Sequence, residues 1–286
     1  MPDRPRVLQM GPDPAIGGGM AAALRALLES PLADRYRLDV VSTYRDARPL
    51  PRLLVYLRAL LRLAGWALLG RGRLVHVHAT VRGSMYRKSV CVLLAKALRR
   101  RVVLHVHSGA GDIAAFRAGL GTLSLALFQA AFRAADAVLA VSVRSAAALV
   151  DAYGIAAPEA VPNAAPPVRR VERSEPREGR LEVAYLGGFA NPAKGGDVLL
   201  AALELALPRT PGMVVQMAGP GELPRPGTDL VARYASLSWL GWLEMLDRDR
   251  LLAASRVLVL PSRSEGSPMA LLEAMSFGLA VVAADV

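Results

Sequence analysis

The chain has 286 residues, just over half of them apolar, with few aromatics and a formal net charge of +11. That length accommodates two domains, the Ala- and Leu-rich composition suits helices packed on sheets better than an all-β sandwich, and the charge attracts anions without choosing among them. The single cysteine, Cys91, excludes an internal disulfide framework and fits a reducing compartment.

The N-terminal stretch MPDRPRVLQMG has no apolar core of signal-peptide length, which points to the cytoplasm. Short β-type runs follow at 6–10, 37–41, 74–78, 102–107 and 137–141, separated by segments of crossover-helix length, the pattern of a parallel sheet covered on both faces. Between the second and third runs lies LLVYLRALLRLAGWALL, 53–69, short for a membrane span and carrying Arg58 and Arg62 one turn apart. Around 164–180 the sequence becomes AAPPVRRVERSEPREGR, rich in proline and charge, as a linker should be. The strand pattern then restarts at 181–187, 213–219, 237–241, 257–262 and 279–285. The reading is α/β, with two Rossmann-like domains facing a cleft: an N-terminal domain over 1–165, a linker over 166–180 and a second domain over 181–286. Ligands are expected at the carboxyl ends of the strands.

Four features carry candidate chemistry. Gly17, Gly18 and Gly19 lead into a helix and expose backbone N–H groups to a phosphate or sugar, although the spacing is not a dinucleotide fingerprint and a plain flexible turn is the alternative. The histidines form two His-x-His pairs, His76 with His78 and His105 with His107. Alternation puts each pair on one face of a strand, yet no carboxylate or thiolate accompanies them at ligand spacing, so a metal site is disfavoured. His107 is followed by SGAGD, whose small residues leave the imidazole open to the cleft. Lys194 stands in a Gly/Pro-rich turn, as a mobile charge able to neutralise a phosphate or as an ordinary solvated lysine.

The segment EGSPMALLE, 265–273, is the fourth. Ser267 reads as an N-cap and Pro268 as the first helical residue, so Glu265 lies in the loop ahead of the helix and Glu273 nearly two turns inside it. The helix start at Ser267 to Met269 offers N–H groups to an anion, and Glu265 can accept from ligand hydroxyls. A polyhydroxylated diphosphate suits this chemistry.

With those residues in place, the chain resembles a GT-B glycosyltransferase of the retaining GT4 family, whose E-x7-E signature matches EGSPMALLE. IGGGM is similar to that family's glycine loop, VHVH and VVLHVHSG to its histidine strands, VPNAAPP to its V-P-N-G segment, and AKGGDVLLAAL to its donor loop. The resemblance implies that Lys194 contacts the donor diphosphate, Glu265 the transferred sugar and Glu273 the ribose, with Gly266, Ser267, Pro268 and Met269 forming the donor-binding turn. It places His107 by the reacting sugar and Gly18 by the phosphate or acceptor. It implies a nucleotide-diphosphate sugar as donor substrate, no cofactor and no metal, transfer with retention, and a glycan, lipid-linked or small-molecule acceptor.

Two departures stand out. Gly188 and Phe189 occupy the places where the family usually has an arginine, unless Arg263 substitutes, and the chain stops at Val286 after a strand that in the family is followed by more of the domain, so the second domain is expected to be incomplete. The alternative function is therefore a non-catalytic nucleotide-sugar-binding remnant. Nucleic acid is not expected, since no aromatic-interleaved basic groove or helix-turn-helix pattern occurs. The basic apolar segment 51–72, with Arg52, Arg58, Arg62, Arg71 and Arg73 in and beside it, and the basic segment 87–101 suggest contact with the inner face of an anionic membrane; the plainer reading is two sheet-covering helices with solvated arginines.

Overall fold

The computed structural model describes residues 4–45, 48–70, 72–166 and 178–286. Arg71 and most of the expected linker lie outside the described residues. By contact the chain divides into two compact units, Met1–Ala164 with Glu265–Ser267, and Ala165–Ser264 with Pro268–Val286.

In the first unit the strands are β1 (Arg6–Gly11), β2 (Arg37–Ser42), β3 (Leu74–Ala79), β4 (Arg101–Val106), β5 (Ala137–Ala140) and β6 (Glu159–Ala160), in the sheet order β2-β1-β3-β4-β5-β6. All the pairings are parallel. The helices are α1 (Gly19–Leu28), α2 (Leu32–Arg35), α3 (Pro49–Leu69), α4 (Gly83–Ala97), α5 (Ala110–Ala118), α6 (Thr122–Ala134) and α7 (Val143–Tyr153). The five predicted strands are present, and β6 is an addition too short and too close to prolines to show a period of two.

Alternation sorts the sheet residues. Leu8, Met10, Val75, Val77, Val102, Leu104 and Val106 are buried and join a core that also takes Leu63, Val92, Phe128 and Leu149 from the helices. The intervening positions put Gln9, His76, His78 and His105 on the other face, with His78 directly opposite His105 across β3 and β4.

The two basic segments behave differently. On α3, Ala59, Leu63 and Ala67 are buried, while Leu50, Leu57, Leu61 and Leu68 are exposed, Leu61 and Leu68 by 73% and 70%. On α4, Lys88 is buried, and Lys96 Nζ donates to Asp136 at 2.8 Å; just beyond its end, the Arg100 guanidinium donates to the Ala67 carbonyl. Within 87–101, Lys88, Lys96 and Arg100 are thus engaged inside the unit, whereas Arg99 and Arg101 remain exposed; α3 keeps an outward apolar stripe. No helix among the described residues is long and apolar enough to cross a membrane.

The second unit repeats the architecture with β7 (Leu181–Leu186), β8 (Met213–Ala218), β9 (Leu237–Trp239), β10 (Val257–Leu260) and β11 (Ala280–Ala283), in the order β11-β10-β7-β8-β9, again parallel. Its helices are α8 (Gly196–Ala206), α9 (Arg225–Arg233), α10 (Met245–Ala254) and α11 (Met269–Ser276). One face of the sheet packs Val183, Tyr185, Val215 and Met217 with α8 leucines; the other packs Ala184, Ala218 and Leu258 with Leu251 and Leu252 of α10 and Ala274 of α11.

Candidate functional site

Gly18 precedes α1 with φ 117 and ψ 155, a conformation reserved for glycine, and nothing lies within 4 Å of the place a Cβ would occupy. A side chain at this position would thus meet no neighbour, and the constraint on it is the backbone conformation alone.

The histidines form a hydrogen-bonded chain. His78 Nε2 lies 2.8 Å from Gln9 Oε1, His78 Nδ1 lies 3.0 Å from His107 Nε2, and His107 Nδ1 lies 2.9 Å from Asn163 Oδ1. Two neutral rings supply two N–H groups for these three contacts, so one terminal amide must present its nitrogen. Asn163 Nδ2 already donates to the Ser267 carbonyl at 2.8 Å, which leaves Gln9 as the amide that donates. His78 Nδ1–H then donates to His107, and His107 Nδ1–H to Asn163. Burial, reinforced by the neighbouring rings, holds His78 and His107 well below the ordinary histidine range, so both stay neutral. Both nitrogens of His107 are engaged, where the small residues after it suggested an open imidazole. A sugar hydroxyl that bonds this ring must replace His78 or Asn163.

His76 lies tilted by 38° against His78 at 4.1 Å between ring centres and stacks parallel to His105 at 5.6 Å; its Nε2 is buried without a hydrogen bond. Burial pushes His76 down to about 3 and His105 down to about 4. Among the described residues, the ligand atoms of His76, His78 and His105 lie within 4.8 Å of one another, close enough to converge on a cation. A cation there would have to take His78 from Gln9 or His107.

In the second unit Lys194 ends a short 3-10 turn, Pro192–Lys194, between β7 and α8. The turn is held from several sides. Asn191 Oδ1 accepts from Ala193 N–H, the Tyr185 hydroxyl lies near both the Gly188 and Lys194 carbonyls, and Gly195, with φ 66, leaves no room for a Cβ against the Pro261 carbonyl. Arg263 N–H donates to Ala193 O, and its guanidinium donates to Pro192 O at 3.0 Å and closes on both Asp197 oxygens at 2.7 and 2.6 Å. Hydrogen bonds from Arg263 hold the Asp197 carboxyl down to about 2. Arg263 thus stands beside Lys194, with its fork committed to Asp197 and the turn. Gly188 has φ 68, and Phe189 packs edge-on against Trp239 at 5.2 Å.

The start of α11 differs from the reading by one residue. Pro268 is the N-cap, its carbonyl accepting from Leu271 and Leu272, and no side chain caps the helix. Ser267 does not cap because its hydroxyl accepts from Asn163 N–H at 3.2 Å. Gly266 abuts Ser108 and Val141, where a Cβ would meet Val141 Cγ2 at 2.5 Å, and Glu265 is half-buried. Met269 is buried in the first turn, and Glu273 is buried further on, 3.0 Å from Arg248 Nη2 of α10. Gln9, Asn163 and Arg248 were not singled out from the sequence; only Asn163 left a signal there, inside VPNAAPP.

Known proteins agree with this architecture. Residues 18–169 match the family described as Glycosyltransferase Family 4, and residues 180–286 match the one described as Glycosyl transferases group 1. A phosphatidyl-myo-inositol mannosyltransferase of Propionibacterium freudenreichii subsp. shermanii is 27% identical over 231 residues, 79% of this chain and 55% of the relative. One from Mycolicibacterium smegmatis is 36% identical over 114 residues, 38% of this chain and 28% of the relative. The matched stretch thus spans about half or less of these relatives. Among solved structures, the sucrose-phosphate synthase of Thermosynechococcus elongatus superposes with a TM-score of 0.68 at 17% identity, covering 99% of this chain and 82% of the other. The lipopolysaccharide outer core galactosyltransferase WaaB superposes at 0.59 with 14% identity, covering 98% and 80%. With one family match extending over more than half of its length and two parallel sheets of the GT-B kind, the chain belongs to glycosyltransferase family 4.

Proposed function

We propose that this protein transfers a hexose, mannose by analogy with the curated relatives, from a nucleotide-diphosphate sugar to a lipid-linked acceptor. The observation that carries the reading is the pairing, in one unit, of the braced Lys194 turn with an uncapped α11 start at the carboxyl end of β10. Such a pair supplies a cation and free amides for a diphosphate. Lys194 and the α11 amides stabilise charge on the departing diphosphate, which is the main electrostatic demand of glycosyl transfer. Glu265 accepts from sugar hydroxyls and Glu273 from the ribose. Retention follows from front-face departure and attack, with no carboxylate required as nucleophile and no metal required for the leaving group. His107 stays neutral and contributes to orienting the reacting sugar.

The second reading, a binding remnant without turnover, is favoured by the missing arginine at Gly188 and by the commitment of Arg263 to Asp197. Turnover with UDP-, GDP- and ADP-sugars separates the two: transfer or slow hydrolysis of one donor supports the enzyme, and binding with neither supports the remnant. Unchanged turnover in Glu265→Ala would remove Glu265 from the chemistry.

The cytoplasmic leaflet is the proposed place of work. The α3 leucines flanked by Arg58 and Arg62 have the composition of a helix that lies in a membrane interface.

A further inference from the structure

A pocket of about 280 Å³ opens at the carboxyl ends of β1, β2 and β3, between Pro12, Thr43, Tyr44 and the first turn of α4. Every charged residue lining it is a cation: Arg82, Arg87 and Lys88. Lys88 is 1% exposed, and its ammonium donates to the Met10 carbonyl at 3.0 Å and to the Thr43 hydroxyl. Among the described residues no carboxylate pairs with it, and the third ammonium hydrogen is left for the pocket. Burial, with the Arg87 charge adding to it, holds this ammonium down to about 7.

Arg87 adds a second unbalanced charge. Its Nη1 lies 3.3 Å from the place a Cβ on Gly83 would take, beside the first turn of α4, and its Nε is buried without a hydrogen bond. The guanidinium rests 5.2 Å from the Tyr44 ring centre. Helix α4 is 15 residues long and begins with no side-chain cap. Arg82, just ahead of it, holds φ 64 and ψ −142, a strained backbone for a residue with a side chain, and such strain collects at binding sites. Cations gathered at a positive helix end repel one another unless an anion joins them.

We propose that this pocket binds a phosphate ester carried by the acceptor, with Lys88 and the α4 amides on two of its oxygens and Arg87 and Arg82 closing over the others. The inference rests on the glycosyltransferase reading for the word acceptor, and on the pocket alone for the phosphate. A lipid headgroup and a soluble sugar phosphate share this chemistry.

The test titrates the full chain calorimetrically with inorganic phosphate at low ionic strength. A single saturable site is expected, weakened at least about tenfold in Arg82→Gln/Arg87→Gln, as loss of charge-assisted contacts implies. Lys88→Met gives an independent second readout wherever its thermal transition stays sharp. Phosphatidylinositol vesicles competing with phosphate would assign a lipid acceptor, and glycerol 1-phosphate competing where vesicles do not would assign a soluble one. No saturable site, equal affinity in the double variant, or competition by neither ester would overturn the proposal. Nucleotide-sugar turnover, followed in parallel, keeps the two readings apart: its loss with phosphate binding intact defeats the enzyme and leaves the pocket standing.

Discussion

The Pro220 carbonyl oxygen lies 2.4 Å from the point where a Cβ on Gly188 would stand, and Gly188 itself holds φ 68. The position that the family resemblance reserves for a donor-binding arginine is therefore closed to any side chain, while the neighbouring Phe189 turns into the core. Gly188→Arg should fail to restore a cation and should destabilise the second unit by about 2–4 kcal/mol, from backbone strain and overpacking together. Urea unfolding measures the loss. A variant of wild-type stability with tighter donor binding would show that the loop relaxes and that the missing arginine is a simple deletion of function.

Arg248 and Glu273 face each other at 3.0 Å with side chains only 18% and 8% exposed. Truncating the arginine withdraws a charge-assisted contact from a poorly solvated carboxylate, so Arg248→Ala should cost about 2 kcal/mol. Glu273→Gln should cost less, because a neutral amide can still accept a hydrogen bond from the guanidinium. A double-mutant cycle should return a coupling of at least about 1 kcal/mol. Additive effects would mean that Glu273 is held mainly by other contacts and that its pairing with Arg248 is incidental to any ribose contact.

Strand positions were legible in the sequence because a parallel sheet covered by helices writes its strands as short apolar runs between longer helical ones. The E-x7-E segment was legible for a similar reason: a strand, a turn and a proline-marked helix start are local features. What pairs with what was not. The chain from Gln9 through His78 and His107 to Asn163 joins residues 69 and 56 positions apart, and nothing local announces it. Lys88 looked like one of many surface cations in a basic run; only the fold shows that its helix face points at the ends of β1 and β2. Ser267 stands where a local pattern expects a cap, yet its hydroxyl takes a partner far away in sequence.

Leu50, Leu57, Leu61 and Leu68 are separated by seven, four and seven residues, which aligns them along one side of α3, opposite the buried Ala59. Replacing Leu57 and Leu61 by serine should leave folding stability within about 1 kcal/mol, since exposed positions contribute little to the core. Binding to phosphatidylglycerol vesicles should fall by at least about tenfold, from the lost burial of two leucines. Co-sedimentation measures it, and equal binding of the variant would remove α3 from the membrane reading.

The histidine cluster makes a prediction of definite sign. In the unfolded chain each histidine takes up a proton as the pH falls through its ordinary value of about 6.5, whereas His76 and His105 in the folded protein resist until about 3 and about 4. The unfolded state therefore binds more protons across that interval, and stability, fully present above about pH 7, declines as the solution is acidified. For His76 and His105 together the decline between pH 7 and 5 is on the order of 4 kcal/mol, and His78 and His107 act in the same direction. The carboxylates do not confuse this window. Asp13, Asp39, Asp136 and Asp197 are all held below their ordinary value near 3.8, so the stability they contribute is intact at pH 5 and is lost only in stronger acid. Urea unfolding at pH 7, 6 and 5 should show the decline, and His76→Gln/His105→Gln should flatten it by about half, since two of four protonation sites are gone. A wild-type profile level between pH 7 and 5 would mean that the cluster accepts protons while folded, and with them that Gln9 keeps its oxygen toward His78.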